Sequence, residues 1–408
     1  MGYIVQKFGG TSLATLDLIK KAATRVKAEI DAGHSVITVV SAMAGTTNTL
    51  VSYVRDLSTT YDRAEYDAVV STGEQITAGL LAIALQNLGL KARSWQGWQL
   101  PIHTSPHHTH AHIEDINVSG LIEAAQKGLV SVVAGFQGLS PKGRITTLGR
   151  GGSDTTAVAL AAALKAERCD IFTDVDGIYT ADPNYVVSAD KLNQIAYQDM
   201  LELASQGAKV LQKESVEFAM KHQVRLRVLS SLSETPGTLV TGEAEIASKR
   251  RQISGLAHSL NYVQITLGGL PASLPYETIL TPLRENNTAV DMVQTNLSPS
   301  IGKMDVSFIV LASEADRALS LLDAARASLG FQNIVKECDV ATISVIGAGL
   351  QAERRPPRIL FQTLKEKGIP VQAVSASEIK LSVLIPASHM EQAISSLHTA
   401  YQLDKEER

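Results

Sequence analysis

Four short runs, at residues 3–8, 35–40, 129–134 and 170–175, are rich in Val, Ile and Phe, and several are apolar on both faces. A strand with two apolar faces needs a layer on each side, which is how the strands of a parallel sheet are buried. Between the first two, Leu16, Ile19, Ala23, Val26 and Ile30 recur at spacings of three and four, one stripe of an amphipathic helix. Residues 156–166 and roughly 199–222 also read as helices. This alternation predicts an α/β sandwich with right-handed crossovers. At 408 residues the chain exceeds one ordinary domain, so two or three are expected.

The stretch 234–251, ETPGTLVTGEAEIASKRR, reads as a connector with a charged join. The C-terminal third of the chain is a repeat. Runs at 263–268, 276–284, 289–295, 305–312 and 313–329 make one βαββα unit, and runs at 341–347, 357–367, 371–375, 378–386 and 389–401 make another. Two tandem ferredoxin-like modules are expected. The predicted division is 1–245, 260–335 and 336–408.

The formal charge of −4 shows no basic excess, so nucleic acid is not an expected partner. Cys169 and Cys338 lie far apart, forming neither a metal pair nor a disulfide framework, which fits a reducing cytoplasm. The start, MGYIVQKFGG, lacks the apolar core of a signal peptide, and Gln6 breaks the myristoylation pattern. The apolar helical stretch 157–164 is far shorter than a membrane span of about 20 residues. A soluble protein is expected.

Four segments at strand ends or helix starts carry the chemistry. KFGGTS (7–12) runs a strand into two glycines before a helix, with Lys7 at the mouth; it reads equally as a phosphate site or an ordinary turn. SAMAGTTN (41–48) supplies hydroxyls for a compact polar substrate or for a helix start. In STGEQ (71–75), Glu74 either supplies the negative charge favoured at a helix N-terminus or grips a substrate ammonium. In TLGRGGSDTTAVAL (147–160), Arg150 offers a planar fork for a carboxylate, while Ser153 and Asp154 cap a helix. Four such segments together indicate one site. FTDVDGIYTADP (172–183) and GAKVLQ (207–212) add Thr173, Asp174, Tyr179 and Lys209, suited to a nucleotide. GLSPKGR (138–144) has P-loop glycine spacing but lacks the lysine and hydroxyl, and no protein-kinase motif set is present.

In this order, these segments closely resemble the aspartate kinases, members of the amino acid kinase superfamily with two C-terminal ACT modules. The resemblance runs essentially end to end. It implies an amino acid kinase-type three-layer α/β sandwich followed by two ACT modules, and ATP-dependent phosphorylation of the L-aspartate side chain. By resemblance, Lys7 stabilises the transferred phosphoryl group and Asp154 orients the lysines. Ser41, Thr47, Glu74, Arg150 and Ser153 match substrate-binding positions. Lys7, Gly9, Gly10, Thr173, Asp174, Tyr179 and Lys209 match nucleotide-binding positions. A carboxylate nucleophile, with a reference pKa of about 3.9, needs no general base. The difficulty is joining two anions, which calls for cations, backbone N–H groups and positioning. Mg²⁺ is expected to ride on the ATP phosphates with few protein ligands, and no protein metal site is expected. A homodimer or larger homo-oligomer through the ACT modules is also implied, without membrane or nucleic-acid partners.

The chain departs from the family at four places. Asn184 stands where the family has arginine, which removes a cation near the nucleotide. The ACT turns 270–277 (LPASLPYE) and 350–358 (LQAERRPPR) have lost the family's Asp-x-Pro-Gly pattern; the facing segment keeps Asp291, Asn296 and Asp305, but Thr295 and Met304 replace the family's glutamine and threonine. The loop HTSPHHTHAH (103–112) holds five histidines; its alternating polar residues and Pro106 read as a solvated loop rather than a metal site.

Overall fold

The computed structural model describes residues 2–207, 210–246, 251–298, 302–352 and 355–404, which form two compact units. The first comprises 1–178, 191–205 and 209–250; the second comprises 179–190, 206–208 and 251–408. Residues 179–190, placed by the sequence with the catalytic half, therefore belong to the second unit.

The first unit opens with β1 (Tyr3–Phe8), α1 (Leu16–Asp31), β2 (Ser35–Val40), α2 (Thr46–Leu57), α3 (Arg63–Val70), α4 (Thr72–Asn87) and β3 (Ala92–Trp95). It continues with β4 (Ile102–Thr104), β5 (Ile113–Ile116), α5 (Ser119–Gln126), β6 (Val130–Ala134), β7 (Gln137–Leu139), β8 (Ile145–Thr147), α6 (Gly152–Leu164) and β9 (Arg168–Thr173). β10 (Gln194–Ala196), α7 (Tyr197–Ser205), α8 (Lys213–His222), β11 (Leu226–Ser230) and β12 (Thr238–Thr241) complete it. The main sheet runs β10-β12-β11-β9-β1-β2-β6-β3, parallel except where β12 meets β11. β1 and β2 are adjacent, and the chain later returns to place β9 on the other side of β1. The carboxyl end of β1 is thus a topological switch point, where open α/β sheets bind ligands. A smaller sheet, β5-β4-β7-β8, carries the histidine-rich loop.

Helix α1 starts on Thr15, whose Oγ1 accepts the Leu18 N–H at 3.3 Å, and it buries Ile19, Ala23 and Val26. Leu16 lies off that stripe and is 58% exposed. The helix expected over 199–222 is two helices, because Gly207 at φ +110° turns the chain in a region only glycine adopts freely. The supposed connector contains β12, with Thr238, Val240 and Thr241 buried. The apolar span Arg63–Asn87, much longer than the 157–164 stretch, is long and apolar enough to cross a membrane, yet its most apolar window is half buried in the protein. Leu81 and Leu85 of α4 pack into a core with Val26 and Val40, so this is a core helix.

The second unit holds β13 (Gly255–Ser259), β14 (Tyr262–Pro271), α9 (Tyr276–Arg284), β15 (Asp291–Ser298), β16 (Lys303–Leu311), α10 (Ala315–Ala324), α11 (Arg326–Leu329) and β17 (Asn333–Glu337). Then come β18 (Val340–Ile346), α12 (Gly349–Ala352), α13 (Arg355–Glu366), β19 (Ala373–Ala376), β20 (Lys380–Pro386) and α14 (Met390–Ala400). The sheets are β15-β16-β14-β17 and β13-β18-β20-β19. The two repeats are therefore interleaved: β13, which precedes the first repeat, is an edge strand of the second repeat's sheet.

Candidate active site

Strand β1 delivers Lys7 and Phe8 to the switch point. Phe8 stacks on Phe172 of β9 with ring centroids 4.6 Å apart, and the Gly9 N–H donates to the Phe172 carbonyl at 3.1 Å. The two glycines make a close approach possible. A Cβ at Gly10 would stand 2.9 Å from the Ala42 carbonyl oxygen, and one at Gly9 would stand 3.3 Å from Lys7 Nζ. Lys7, only 8% exposed, pairs through Nζ with Asp154 Oδ1 at 2.5 Å. Asp154 lies in the first turn of α6, so a carboxylate, an ammonium and a helix N-terminus meet at one point.

After β2, the 41–45 loop passes under the glycines, with the Ala44 N–H donating to the Gly10 carbonyl at 3.2 Å. Glu74 reaches this loop from the first turn of α4, accepting the Ala42 N–H on Oε1 at 2.9 Å. Its Oε2 is buried with no protein partner among the described residues. Burial is the main reason its carboxyl is pushed up from 4.5 to about 7, with the Ala42 N–H pulling the other way. A buried carboxylate oxygen aimed at no protein donor is suited to an external cation.

The third wall is the turn between β8 and α6. Gly149 and Gly151 have φ of +77° and +67°, which lets this turn present Arg150. Lys7, Gly10, Ser41, Thr47, Glu74, Arg150, Ser153 and Asp154 all line one open cleft of about 1100 Å³ within the first unit. The four segments singled out in the sequence do converge.

Other expected residues lie elsewhere. Thr173 ends β9, the strand next to β1, and Asp174 follows it; both lie outside the cleft lining, with Thr173 Oγ1 donating to Asp174 Oδ1 at 3.1 Å. Tyr179 falls in the second unit, and Lys209 lies outside the described residues. In the second unit Asn296 stands opposite Asp305, whose Oδ1 accepts the Gly269 N–H at 2.8 Å. Asp291 pairs with Ile309, roughly 15 Å along the ladder at about 3.3 Å per residue, and does not join them.

Sequence reasoning missed a further part of the cleft lining. Asn48, Ser52 and Arg55 of α2 and Arg63 and Tyr66 of α3 line the cleft, adding two cations. The spacing 48, 52, 55 was the available signal, a helical stripe beginning in SAMAGTTN. The histidine-rich loop, expected to be solvated throughout, is so only in part. His103, His107, His110 and His112 are not buried, but Thr104, Ser105 and Ala111 are, and His108 Nδ1 lies 2.8 Å from the fully buried Asp67.

A model of the amino acid kinase family matches residues 2–230, and an ACT domain model matches residues 343–401. Aspartokinase 2 of Bacillus subtilis is 44% identical over 407 residues, spanning 99% of each chain. The aspartate kinase of Stutzerimonas stutzeri is 43% identical over 405 residues, covering 99% of this chain and 98% of its own. Aspartokinase III of E. coli, solved with aspartate and ADP, has a similar fold: TM-score 0.81 at 27% identity, covering 98% of this chain and 99% of that one.

Proposed function

The chain belongs to the amino acid kinase family and within it to the aspartate kinases, and we propose that it transfers the γ-phosphoryl group of ATP to the side-chain carboxylate of L-aspartate. The product is 4-phospho-L-aspartate, the entry to lysine, threonine and methionine. One observation carries this reading: the Lys7–Asp154 pair and the unpartnered Glu74 Oε2 share a single cleft. Glu74 takes the substrate ammonium, Arg150 with Ser41, Thr47 and Ser153 takes its carboxylates, and Lys7 meets the phosphoryl group. Gly9 and Gly10 bring backbone close to the phosphates, and the resemblance alone gives Thr173, Asp174, Tyr179 and Lys209 a part in nucleotide binding. Mg²⁺ enters as part of the MgATP substrate. This assignment leaves the ion on the ATP phosphates, as the resemblance implies. Lys7 offsets charge that builds on the phosphoryl oxygens as two anions approach.

A panel of L-aspartate, L-glutamate and N-acetyl-L-glutamate, each with MgATP and ADP release as readout, tests the assignment. Turnover with L-aspartate far above the others is expected. Preference for either glutamate, or no acceptor-dependent release, contradicts it.

The free-enzyme value of Glu74 gives a pH signature. An ammonium binds the ionised form, so kcat/KM for L-aspartate should climb between about pH 6 and pH 8, through the value near 7. Glu74→Gln should lose both affinity and that rise. A flat wild-type profile across this range counts against Glu74 as the ammonium partner.

The second unit supports assembly and altered regulation. Val335, on edge strand β17, is 49% exposed, and we place a homo-oligomer contact on these modules, to be read by light scattering. Pro275, at the start of α9, has no N–H to donate. Met304, standing where the family has threonine, is buried in the module core and is no substitute for it. Millimolar lysine and threonine, singly or together, should leave most of the rate intact. Strong inhibition at sub-millimolar concentration would mean these turns still close on the effector. The free cysteines Cys169 and Cys338 suit a cytoplasmic enzyme.

A further inference from the structure

Asp67 of α3 is fully buried, and no lysine or arginine pairs with it among the described residues. Three other donors surround it. The Thr147 hydroxyl donates to Oδ1 at 2.6 Å, the Thr109 N–H reaches both carboxyl oxygens at 3.1 and 3.0 Å, and His108 Nδ1 lies 2.8 Å from Oδ2. These partners come from separate segments. Thr109 belongs to the histidine-rich loop, whereas Thr147 ends β8, three residues before Arg150.

Thr109 is also held in a conformation it would not choose. Its φ of +72° lies in the left-handed region, which a β-branched residue rarely enters. Such a backbone persists only where its surroundings over-determine it, and these positions cluster at functional sites. The same loop presses on the Arg150 turn. The Ala111 N–H donates to the Thr147 carbonyl at 2.9 Å, and a Cβ on Gly149 would lie 2.9 Å from His110 Nδ1. Thr109, Thr147 and Arg150 all line the cleft, whereas Asp67 does not.

We propose that Asp67 is a positioning residue: by clamping Thr109 and Thr147 together it sets the Arg150 turn, and so the affinity for the amino-acid substrate. The proposal rests on the aspartate kinase reading above and deepens it. Asp67 touches neither substrate nor reacting atoms, so its removal loosens the carboxylate grip and leaves the nucleotide side alone. Asp67→Asn keeps the shape but turns an amide N–H₂ toward donors. Thr147→Val keeps the volume and removes the hydroxyl.

The test measures KM for L-aspartate and for ATP separately, with thermal melts to confirm folding. Asp67→Asn and Thr147→Val should each raise KM for L-aspartate about 10-fold or more, the loss expected for a hydrogen bond to a charged group, with KM for ATP within about twofold. Rescue separates this role from general support. Glycine occupies φ near +70° without strain, so adding Thr109→Gly to Asp67→Asn should recover much of the lost affinity. If Asp67→Asn fails to fold, Thr147→Val carries the same prediction. A folded Asp67→Asn or Thr147→Val with unchanged KM for L-aspartate overturns the clamp, as does a double variant no better than Asp67→Asn. Wild-type protein run in the same series keeps the two readings apart. Its inactivity with L-aspartate would sink the assigned reaction, whereas a normal wild type beside an indifferent Asp67→Asn counts against the clamp alone.

Discussion

Lys7→Ala should lower kcat by about 100-fold or more while KM for L-aspartate moves only a few-fold. The ammonium lies at the glycine loop, 2.5 Å from Asp154, with both side chains about 10% exposed. Its charge is positioned before substrate arrives, so its attraction to the phosphoryl oxygens strengthens as they gain charge in the transition state. Truncation also strands the Asp154 carboxylate, and breaking a buried pair costs about 3–5 kcal/mol of stability. Lys7→Ala should therefore melt lower than wild type. The double variant Lys7→Ala/Asp154→Asn should recover most of that stability and none of the turnover. Recovery of both would assign the pair to the fold; near-normal turnover in folded Lys7→Ala would remove Lys7 from the chemistry.

Arg150→Lys should raise KM for L-aspartate by about 10-fold or more and change KM for ATP little. The substitution keeps the charge and loses the planar fork that can engage a carboxylate through two parallel hydrogen bonds. A charge-assisted hydrogen bond contributes about 1.5–3 kcal/mol, and a loss of about 1.4 kcal/mol is already tenfold in affinity. Arg150 is exposed on a turn between two left-handed glycines, so the change should leave the fold intact. A rise in KM for ATP instead would move Arg150 to the nucleotide side of the cleft.

Much of the cleft is legible in the chain because its parts are local. Lys7, Ser41 and Arg150 each lie at or just after a β-type run, and Glu74 and Asp154 stand in first helical turns, so strand ends and helix starts locate them without any tertiary knowledge. The missing parts depend on long-range packing. In RAEYDAVV, Asp67 looks like any acid on an amphipathic helix; only the approach of residues 108, 109 and 147 makes it a buried acceptor. Helix α2 buries no residue, so its cleft-facing stripe of Asn48, Ser52 and Arg55 reads as ordinary surface. The interleaving of the two repeats is equally hidden. Residues 255–259 carry no signal that their partner is β18 rather than the nearer β14. Nor does the run FTDVDGIYTADP show that the chain leaves the first unit after Ile178 and returns at Lys191.

The central claim is that phosphate is bonded to the side-chain carboxylate of L-aspartate, and trapping that bond tests it most directly. An acyl phosphate is cleaved by hydroxylamine to a hydroxamate, whereas a phosphate ester or free phosphate is not. The protein incubated with MgATP, L-aspartate and hydroxylamine should yield the side-chain hydroxamate of aspartate in step with ADP, and Lys7→Ala should yield about 100-fold less per unit time. ADP formed without hydroxamate, or hydroxamate on another acceptor at equal rate, would contradict the assignment.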